Sequence, residues 1–486
     1  MNNNNSITAN LIWKFLERIL AQLVSFIVSL ILARFLLPED YGVVSIVMVF
    51  ITFAEVFFGT GLVSSLMQKK DSDEIDYSSV FFFNIAISLI IYIILFSISS
   101  FVANFYDKII LKSVLRVLAV TIFFEAIKPV QLAYISKKME FKKFFYATLI
   151  GTVISGIVGV ILAYTGFGVW ALVAQCIINP FMDTVILALT IKWKPVLKFS
   201  VSRIIKLWSF GWKLLFEGIA ASIETQFRSL LIGRIYTVGD LAYYQKGQNL
   251  PSLLTNNIAS SFYGVLFPAM SNIQDNKEGV LELLRKTVRL LSFFLFPLSF
   301  GLLITSDTVV TILFTERWIG IVPYVKLFCV YQIINISISP RQIALTAVGR
   351  SDIFLRQNII PRIIGIVYLV LFYKKSIYHI AISVIIPITL CMIYSCISAV
   401  KINKYSIIEQ FRDFIVPLLF SLIMLCGVYL IKMLLINIIR NNYLSILIQV
   451  GIGIILYVML NMTFKPICYL EAKKYVKNIF SRIRNT

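Results

Sequence analysis

The stretch IAISLIIYIILFSIS (85–99) decides the fold of this chain, because it is almost wholly apolar and its residues do not alternate. A transmembrane β-strand would alternate apolar and polar residues over about ten positions, so the run predicts an α-helix. About 20 helical residues cross a hydrocarbon core that is about 30 Å thick. The apolar run extends over residues 80–105, and this length predicts one membrane-spanning helix.

Thirteen similar runs lie along the rest of the chain, which has 486 residues and is 59% hydrophobic. Every gap between the runs is about 20 residues or shorter, so no separate soluble domain is expected. A formal charge of +21 in so apolar a chain indicates a membrane protein and argues against a nucleic-acid partner. The sequence predicts an all-α polytopic membrane protein with about 14 transmembrane helices, near residues 11–34, 41–66, 80–105, 113–135, 143–165, 168–191, 207–232, 242–271, 287–306, 322–347, 353–373, 378–400, 413–436 and 443–463.

The lysines and arginines are distributed unequally between alternate loops. Of the 45, 26 fall on one side of the predicted membrane, 10 fall on the other side, and nine lie inside the spans. Basic residues near the ends of spans collect on the cytoplasmic side. Both termini are therefore predicted to be cytoplasmic, which agrees with an even number of spans.

Two segments 200 residues apart resemble each other. Residues 30–43 read LILARFLLPEDYGV and residues 230–243 read LLIGRIYTVGDLAY, so that Arg34 matches Arg234 and Asp40 matches Asp240. The offset corresponds to six spans, which predicts two parallel six-helix repeats with the substrate between them. The expected parts are a lobe of residues 1–200, a lobe of residues 201–405, and two extra helices with a basic cytoplasmic tail in residues 406–486.

Both segments belong to longer stretches that resemble a known family. Residues 33–71 contain ARFLLPEDYG and end in QKKD, and residues 228–275 contain VLFP and end in QD. These stretches resemble the two signatures of the polysaccharide transporter (Wzx-type flippase) family, which belongs to the multidrug/oligosaccharidyl-lipid/polysaccharide exporter superfamily. The resemblance implies a fold similar to the multidrug exporters called MATE. It also implies a protein of the bacterial plasma membrane.

The resemblance further implies an activity and its partners. Proteins of this family move undecaprenyl-diphosphate-linked oligosaccharides to the outer leaflet by alternating access, for assembly of O-antigen, capsule or exopolysaccharide. The expected partners are the lipid-linked oligosaccharide and membrane lipid, with a polysaccharide polymerase and chain-length proteins as further partners of a monomer. No cofactor or metal is expected, and the glycan stays open.

The charges inside the spans are candidates for substrate contacts, because such charges usually face a wet cavity or a partner. In the seventh span Lys213, Glu217, Glu224 and Arg228 share one helical face. This face either lines the central cavity or consists of two self-neutralising pairs. In the first span Lys14 and Arg18 lie on one face with Glu17. That cluster either captures the diphosphate or reaches out to the cytoplasmic interface.

Two arginines follow prolines, and two acids are isolated. Arg341 and Arg362 come directly after Pro340 and Pro361, where the helices are expected to break. With no acid four residues away, they are the main diphosphate candidates. The isolated acids Glu55 and Asp183 are candidates for coupling to an ion, or for a polar contact between helices. Glu125 and Lys128 are expected to pair with each other.

Two other classes of protein remain as alternatives. An enzyme acting on lipid-linked sugars could use Asp71 and Asp73 as a DxD pattern, but these residues lie in a short charged loop without a soluble domain. No enzymatic activity is therefore expected. A drug exporter of related fold should have an acidic cavity, whereas nine basic residues face six acidic ones inside these spans. This excess favours an anionic substrate.

Overall fold

The computed structural model describes residues 20–59, 61–69, 71–138, 140–348, 350–435 and 441–474. Within these ranges the chain is helical, with a short 3-10 segment at Glu316–Ile321 and no β-strand. The helices are α1 (Leu20–Phe35), α2 (Pro38–Gly59), α3 (Gly61–Gln68), α4 (Glu74–Phe105), α5 (Ile110–Leu118), α6 (Thr121–Lys138), α7 (Phe141–Tyr164), α8 (Val169–Thr190), α9 (Val201–Ile235), α10 (Val238–Asn272), α11 (Lys277–Phe314), α12 (Val322–Ala347), α13 (Ser351–Phe372), α14 (Ile377–Asn403), α15 (Ile407–Leu435) and α16 (Asn442–Phe464).

The helices follow the predicted spans in order. Ten helices in the described part of the chain are long and apolar enough to cross a membrane. The all-α polytopic membrane fold is therefore confirmed. The other four predicted spans fall on α1, the α5–α6 pair, α9 and α10. Helix α9 carries several charges and α10 carries many amides and hydroxyls, so composition alone does not establish them as membrane spans. The total of fourteen spans therefore stays a prediction.

The repeated sequence segments form the same local structure. Two residues separate the end of α1 at Phe35 from the start of α2 at Pro38, and two separate the end of α9 at Ile235 from the start of α10 at Val238. In each case an aspartate in the first turn of the second helix accepts a backbone hydrogen bond from three residues earlier: Asp40 from Leu37 at 3.0 Å, and Asp240 from Thr237 at 3.1 Å. These bonds satisfy an N–H group that the helix leaves unpaired.

The first compact unit ends at Ala242. Its core includes buried residues of α3, α4, α6 and α8 together with the start of α9. Helices α3 and α9 cross at a pair of glycines, because a Cβ at Gly211 would lie only 2.8 Å from the carbonyl oxygen of Gly61. Helix α9 thus packs on the helices that precede it.

The second compact unit begins at Tyr243. Helix α11 lies at its centre and packs against α12, α15 and α16. Tyr457 of α16 donates from its hydroxyl to the carbonyl oxygen of Phe293 on α11 at 2.8 Å. Helices α15 and α16 are therefore built into this unit. The division into parts at residues 200 and 405 rests on the sequence repeat and stays a prediction.

Candidate functional site

Four charged side chains from α2, α6 and α8 come together in the first unit. Lys128 of α6 donates from Nζ to Oδ2 of Asp183 on α8 at 2.7 Å. Glu55 of α2 and Glu125 of α6 lie close enough to interact electrostatically with Lys128. One carboxylate therefore pairs with the ammonium group, and two more lie in its electrostatic range. We call these four residues the acidic cluster.

Asp183 is the most enclosed member of the acidic cluster. The residue is 1% exposed, and its Oδ1 has no hydrogen-bond partner among the described residues. A Cβ on Gly151 of α7 would lie only 2.4 Å from this oxygen. Glycine at position 151 therefore makes the room that the carboxylate occupies. In the described part of the chain, no group of three or more His, Cys, Asp and Glu side chains is placed to hold a metal ion.

Uncharged polar groups fix α6 beside the acidic cluster. The Asn84 side chain donates to the carbonyl oxygen of Ala126 at 3.1 Å, and Gln131 donates to that of Thr184 at 3.3 Å. Helix α6 contains Pro129, which removes one intrahelical hydrogen bond. Contacts from α4 and α8 thus hold α6 on both sides of its proline.

The acidic cluster bears on two expectations from the sequence. Asp183 pairs with Lys128 of α6, which lies 55 positions earlier, and so makes the polar contact between helices that was expected as the alternative to ion coupling. Lys128 was expected to pair with Glu125, but the carboxylate within 4 Å of its ammonium group is that of Asp183. Spacing rules describe neighbours on one helix, and they give no information about a partner on another. The role of Glu55 and Asp183 in ion coupling stays a prediction.

One of the two predicted pairs on α9 is present. Arg228 donates to Glu224 at 3.2 Å, and Arg228 is buried. The side chains of Lys213 and Glu217 lie outside the described residues, as do Lys14 and Arg18 of the first span. Whether any of these six side chains contacts the substrate stays a prediction.

The two proline-linked arginines lie on continuous helices, so the expectation of helix breaks is wrong. Helices α12 and α13 run through Pro340 and Pro361. Arg341 is 1% exposed and donates from Nη1 to the carbonyl oxygen of Ser337, whereas its Nε and Nη2 have no hydrogen-bond partner among the described residues. Arg362 is half-buried and interacts with its surroundings.

A charged network that sequence analysis missed ties α11 to α15 in the second unit. Arg285 and Arg289 of α11 donate to the two carboxylate oxygens of Asp413 on α15 at 2.8 and 3.0 Å. Arg289 also donates to Glu471 at 2.6 Å. The Tyr405 hydroxyl donates to Asp413 at 2.7 Å. Burial and then this carboxylate raise the pKa of Tyr405 well above its usual range.

An apolar cavity of about 480 Å³ lies between α11, α15 and α16 in the same unit. Its wall includes Pro297, Leu298, Met424, Val428, Ile454 and Val458. Leu298, Ile454 and Val458 are also exposed on the outer surface. The cavity can therefore take a hydrocarbon chain from the surrounding lipid.

A family model described as "Polysaccharide biosynthesis protein" matches residues 31–323. This range covers more than half of the chain and contains both signature stretches, residues 33–71 and 228–275. The chain belongs to the polysaccharide biosynthesis protein family. Membership of the polysaccharide biosynthesis protein family confirms the resemblance drawn from those two stretches.

Two relatives illustrate this family. The succinoglycan biosynthesis transport protein ExoT of Rhizobium meliloti is 26% identical over 316 residues, which are 65% of this chain and 64% of ExoT. The chain thus matches slightly less than two thirds of the length of ExoT. The lipopolysaccharide biosynthesis protein WzxC of Escherichia coli is 22% identical over 68% of this chain and 67% of its own length.

Solved structures of similar fold come from two kinds of transporter. The lipid II flippase MurJ in an inward closed conformation superposes with a TM-score of 0.73 at 18% identity, over 94% of this chain and 98% of MurJ. An inward-facing multidrug resistance MATE transporter gives a TM-score of 0.59 at 14% identity, over 79% and 96% of the two chains. These similarities confirm the predicted MATE-like fold.

Proposed function

We propose that this protein moves undecaprenyl-diphosphate-linked oligosaccharide repeat units from the inner to the outer leaflet by alternating access. The product would be a surface polysaccharide, namely an O-antigen, a capsule or an exopolysaccharide. Family membership is the observation that carries this proposal. ExoT and WzxC are named for different polymers, which favours a cargo defined by its lipid carrier and not by one glycan.

The described side chains suit the two ends of such a carrier. The apolar cavity between α11, α15 and α16 fits part of a polyprenyl chain. Two guanidinium nitrogens of Arg341 have no hydrogen-bond partner in the described part of the chain, and a guanidinium binds phosphate oxygens bidentately. Because Arg341 is enclosed in this structure, its diphosphate role requires a conformation in which the side chain is exposed. The transport cycle would supply that conformation.

The acidic cluster is the proposed coupling site. Its three carboxylates exceed its single ammonium group, so it can accept a proton or a monovalent cation during the cycle. A diphosphate with about two negative charges would gain roughly 2.3 kcal/mol per charge per 100 mV when it moves outward. Coupling would then increase the extent of transport and would not be essential for it.

Orientation and partners complete the proposal. Both termini would face the cytoplasm of a bacterium, as the distribution of Lys and Arg predicts. The protein would act as a monomeric transporter without enzymatic activity. It would deliver its cargo to a polysaccharide polymerase and its chain-length proteins.

A drug exporter is the second candidate, and the acidic cluster is the observation in its favour. Three carboxylates near one lysine would attract a cationic drug as well as a proton. The basic excess inside the predicted spans argues against this candidate. Neighbouring genes for glycosyltransferases would support the flippase, and their absence would favour the exporter.

Reconstitution of the full-length protein in liposomes tests the proposal. The probe is a fluorescent oligosaccharide on undecaprenyl diphosphate, and a membrane-impermeant quencher reports the fraction that reaches the other leaflet. We expect quenching of the inner-leaflet probe only in liposomes that contain the protein. A fluorescent phosphatidylcholine should stay protected in the same liposomes. Equal movement of both lipids, or movement of neither, would contradict a specific flippase.

A further inference from the structure

Helix α10 carries a row of uncharged polar side chains that face one direction. Successive residues of an α-helix are about 100° apart around its axis. Between residues 245 and 256, every position within one arc of about 100° is polar: Gln245, Gln248, Asn249, Ser252 and Asn256. A rise of about 1.5 Å per residue places them about 10 to 27 Å from the start of α10 at Val238, inside the predicted span 242–271. We call this surface the amide face.

Most of the amide face is open to a ligand. Gln248, Asn249 and Asn256 are exposed, and their side chains form no hydrogen bond in the part of the chain that the structure describes. The Ser252 hydroxyl accepts a hydrogen bond at 3.0 Å from the buried side chain of Gln332 on α12. This contact orients α10 and leaves the three exposed amides available.

The opposite side of α10 is apolar. Leu254 lies about 170° around the helix from the centre of the amide face, is exposed, and contributes to the wall of the apolar cavity. Polar side chains at membrane depth face a water-filled cavity or another part of the protein, because hydrocarbon offers them no hydrogen bond. Helix α10 therefore has one side suited to hydrocarbon and one side suited to a hydrated group. A lipid-linked oligosaccharide has both of these parts.

The sequence repeat provides a comparison for the amide face. Helix α2 is the counterpart of α10 at the offset of 200 residues, and it contains no asparagine or glutamine. At the positions that correspond to the amide face it has Ser45, Met48, Val49, Thr52 and Val56. Because α2 forms a long helix without amides, the formation of α10 does not require them either. Binding of a ligand accounts for their presence.

We propose that the amide face binds sugar hydroxyl groups of the lipid-linked oligosaccharide. A hydroxyl both donates and accepts hydrogen bonds, and a carboxamide supplies two donors and a carbonyl acceptor. The amide face carries no charge, so it suits many neutral glycans, whereas a cationic drug would find no carboxylate on it. The proposal rests on the flippase function proposed above and extends it, because it names side chains that contact the glycan.

Native mass spectrometry of the full-length protein in detergent tests the amide face. Two probes compete in one sample, namely undecaprenyl diphosphate that carries a neutral hexose trisaccharide and undecaprenyl diphosphate without sugar. The key variants are Asn249→Leu and Asn256→Leu. The matched control is Asn257→Leu, because this neighbouring amide lies outside the amide face and donates to the carbonyl oxygen of Leu253 on its own helix at 2.9 Å.

The ratio of the two bound lipids is the readout. We expect each key variant to lower the ratio of sugar-bearing to sugar-free lipid about fivefold, as the loss of one hydrogen bond does. Asn257→Leu should keep the wild-type ratio, and Asn256→Gln should keep most of it because it retains the amide. Only folded protein retains lipid, so partial unfolding of a variant lowers both signals and does not change their ratio.

Three results would overturn the amide face as a glycan site. These are an unchanged ratio in both key variants, an equal fall of the ratio in Asn257→Leu, and a wild-type protein that binds both lipids equally. Each of them would leave the proposed flippase function intact, because the carrier would still bind. A wild-type protein that binds neither lipid would contradict the flippase function itself, and the glycan contact with it.

Discussion

Asp40 and Asp240, which lie 200 positions apart, form the same backbone contact at the start of two long helices. Each carboxylate accepts a hydrogen bond from the N–H group three residues earlier, at 3.0 and 3.1 Å. At the second position the Thr237 hydroxyl also accepts a bond from the N–H of Asp240 at 3.0 Å, which completes a capping box. Leu37 has no hydroxyl and cannot make that second contact.

We expect both aspartates to stabilise the fold through these contacts. Asp40→Ala or Asp240→Ala should each lower the free energy of unfolding by about 1 kcal/mol. Thermal unfolding in detergent measures the change. Asp40→Asn and Asp240→Asn are the controls, because the amide oxygen still accepts the hydrogen bond. Alanine variants as stable as the asparagine variants would contradict a capping role.

Gly151 offers a test of how closely α7 approaches Asp183. We expect Gly151→Ala to destabilise the protein by about 1–3 kcal/mol, because the new Cβ would lie 2.4 Å from Oδ1 of Asp183. The matched control is Gly451→Ala in α16, where no described atom beyond the adjacent residues and the helix's own backbone lies within 4 Å of the new Cβ. That substitution should be neutral or stabilising, since alanine favours a helix more than glycine does. Equal melting temperatures for the two variants would exclude close packing at Gly151.

The sequence allows the helices to be predicted much better than the contacts between them. Within the described residues, each predicted span falls on one helix or on two consecutive helices, because about 20 apolar residues carry the signal within one continuous segment. The sequence also predicts that Asp40 corresponds to Asp240, since the alignment of two short segments is sufficient to pair them. Both features depend only on residues that are close together along the chain.

Contacts between distant helices carry no such local signal. Lys128 has acids nearby in sequence, yet its ion pair is with Asp183 on α8. Arg285 and Arg289 were counted only for orientation, although both bind Asp413 more than 120 positions later. A hint was available, because Asp413 and Glu471 are acids on the side of the membrane predicted to be basic. Hydropathy and charge counts do not indicate which arginine Asp413 or Glu471 contacts.

Within the charged network of the second unit, replacement of Asp413 should lower the free energy of unfolding more than replacement of any other single residue. We expect Asp413→Asn to lower the free energy of unfolding by about 3–5 kcal/mol, because it removes a buried carboxylate that two partly buried arginines share. Asp352→Asn is the matched control, since the Arg350–Asp352 pair is about half exposed. Its loss should cost less than about 1 kcal/mol. Equal decreases in melting temperature for Asp413→Asn and Asp352→Asn would contradict the idea that burial makes the Asp413 network more important for stability.

The two proline-linked arginines provide a test of diphosphate binding in cells. We expect Arg341→Ala or Arg362→Ala to abolish surface polysaccharide while the protein still inserts into the membrane. Immunoblotting of membrane fractions and staining of the polysaccharide measure the two properties separately. Arg356→Ala is the control, because this arginine is exposed on α13. Normal polysaccharide display in both alanine variants would remove the two arginines from substrate binding.

The acidic cluster makes a prediction that separates coupling from flipping. We expect Glu55→Gln and Asp183→Asn to make transport in liposomes insensitive to an imposed proton or sodium gradient, because the variants lose the carboxylate that would accept the ion. Flipping without a gradient should continue, since the proposed movement of the diphosphate does not require a coupled ion. Glu278→Gln, at an exposed position at the start of α11, should keep the wild-type response to the gradient. If neither gradient changes transport by the wild-type protein, coupling at this cluster is excluded and the flippase function is unaffected. Loss of all flipping in Glu55→Gln would show that this carboxylate is needed for the conformational cycle itself.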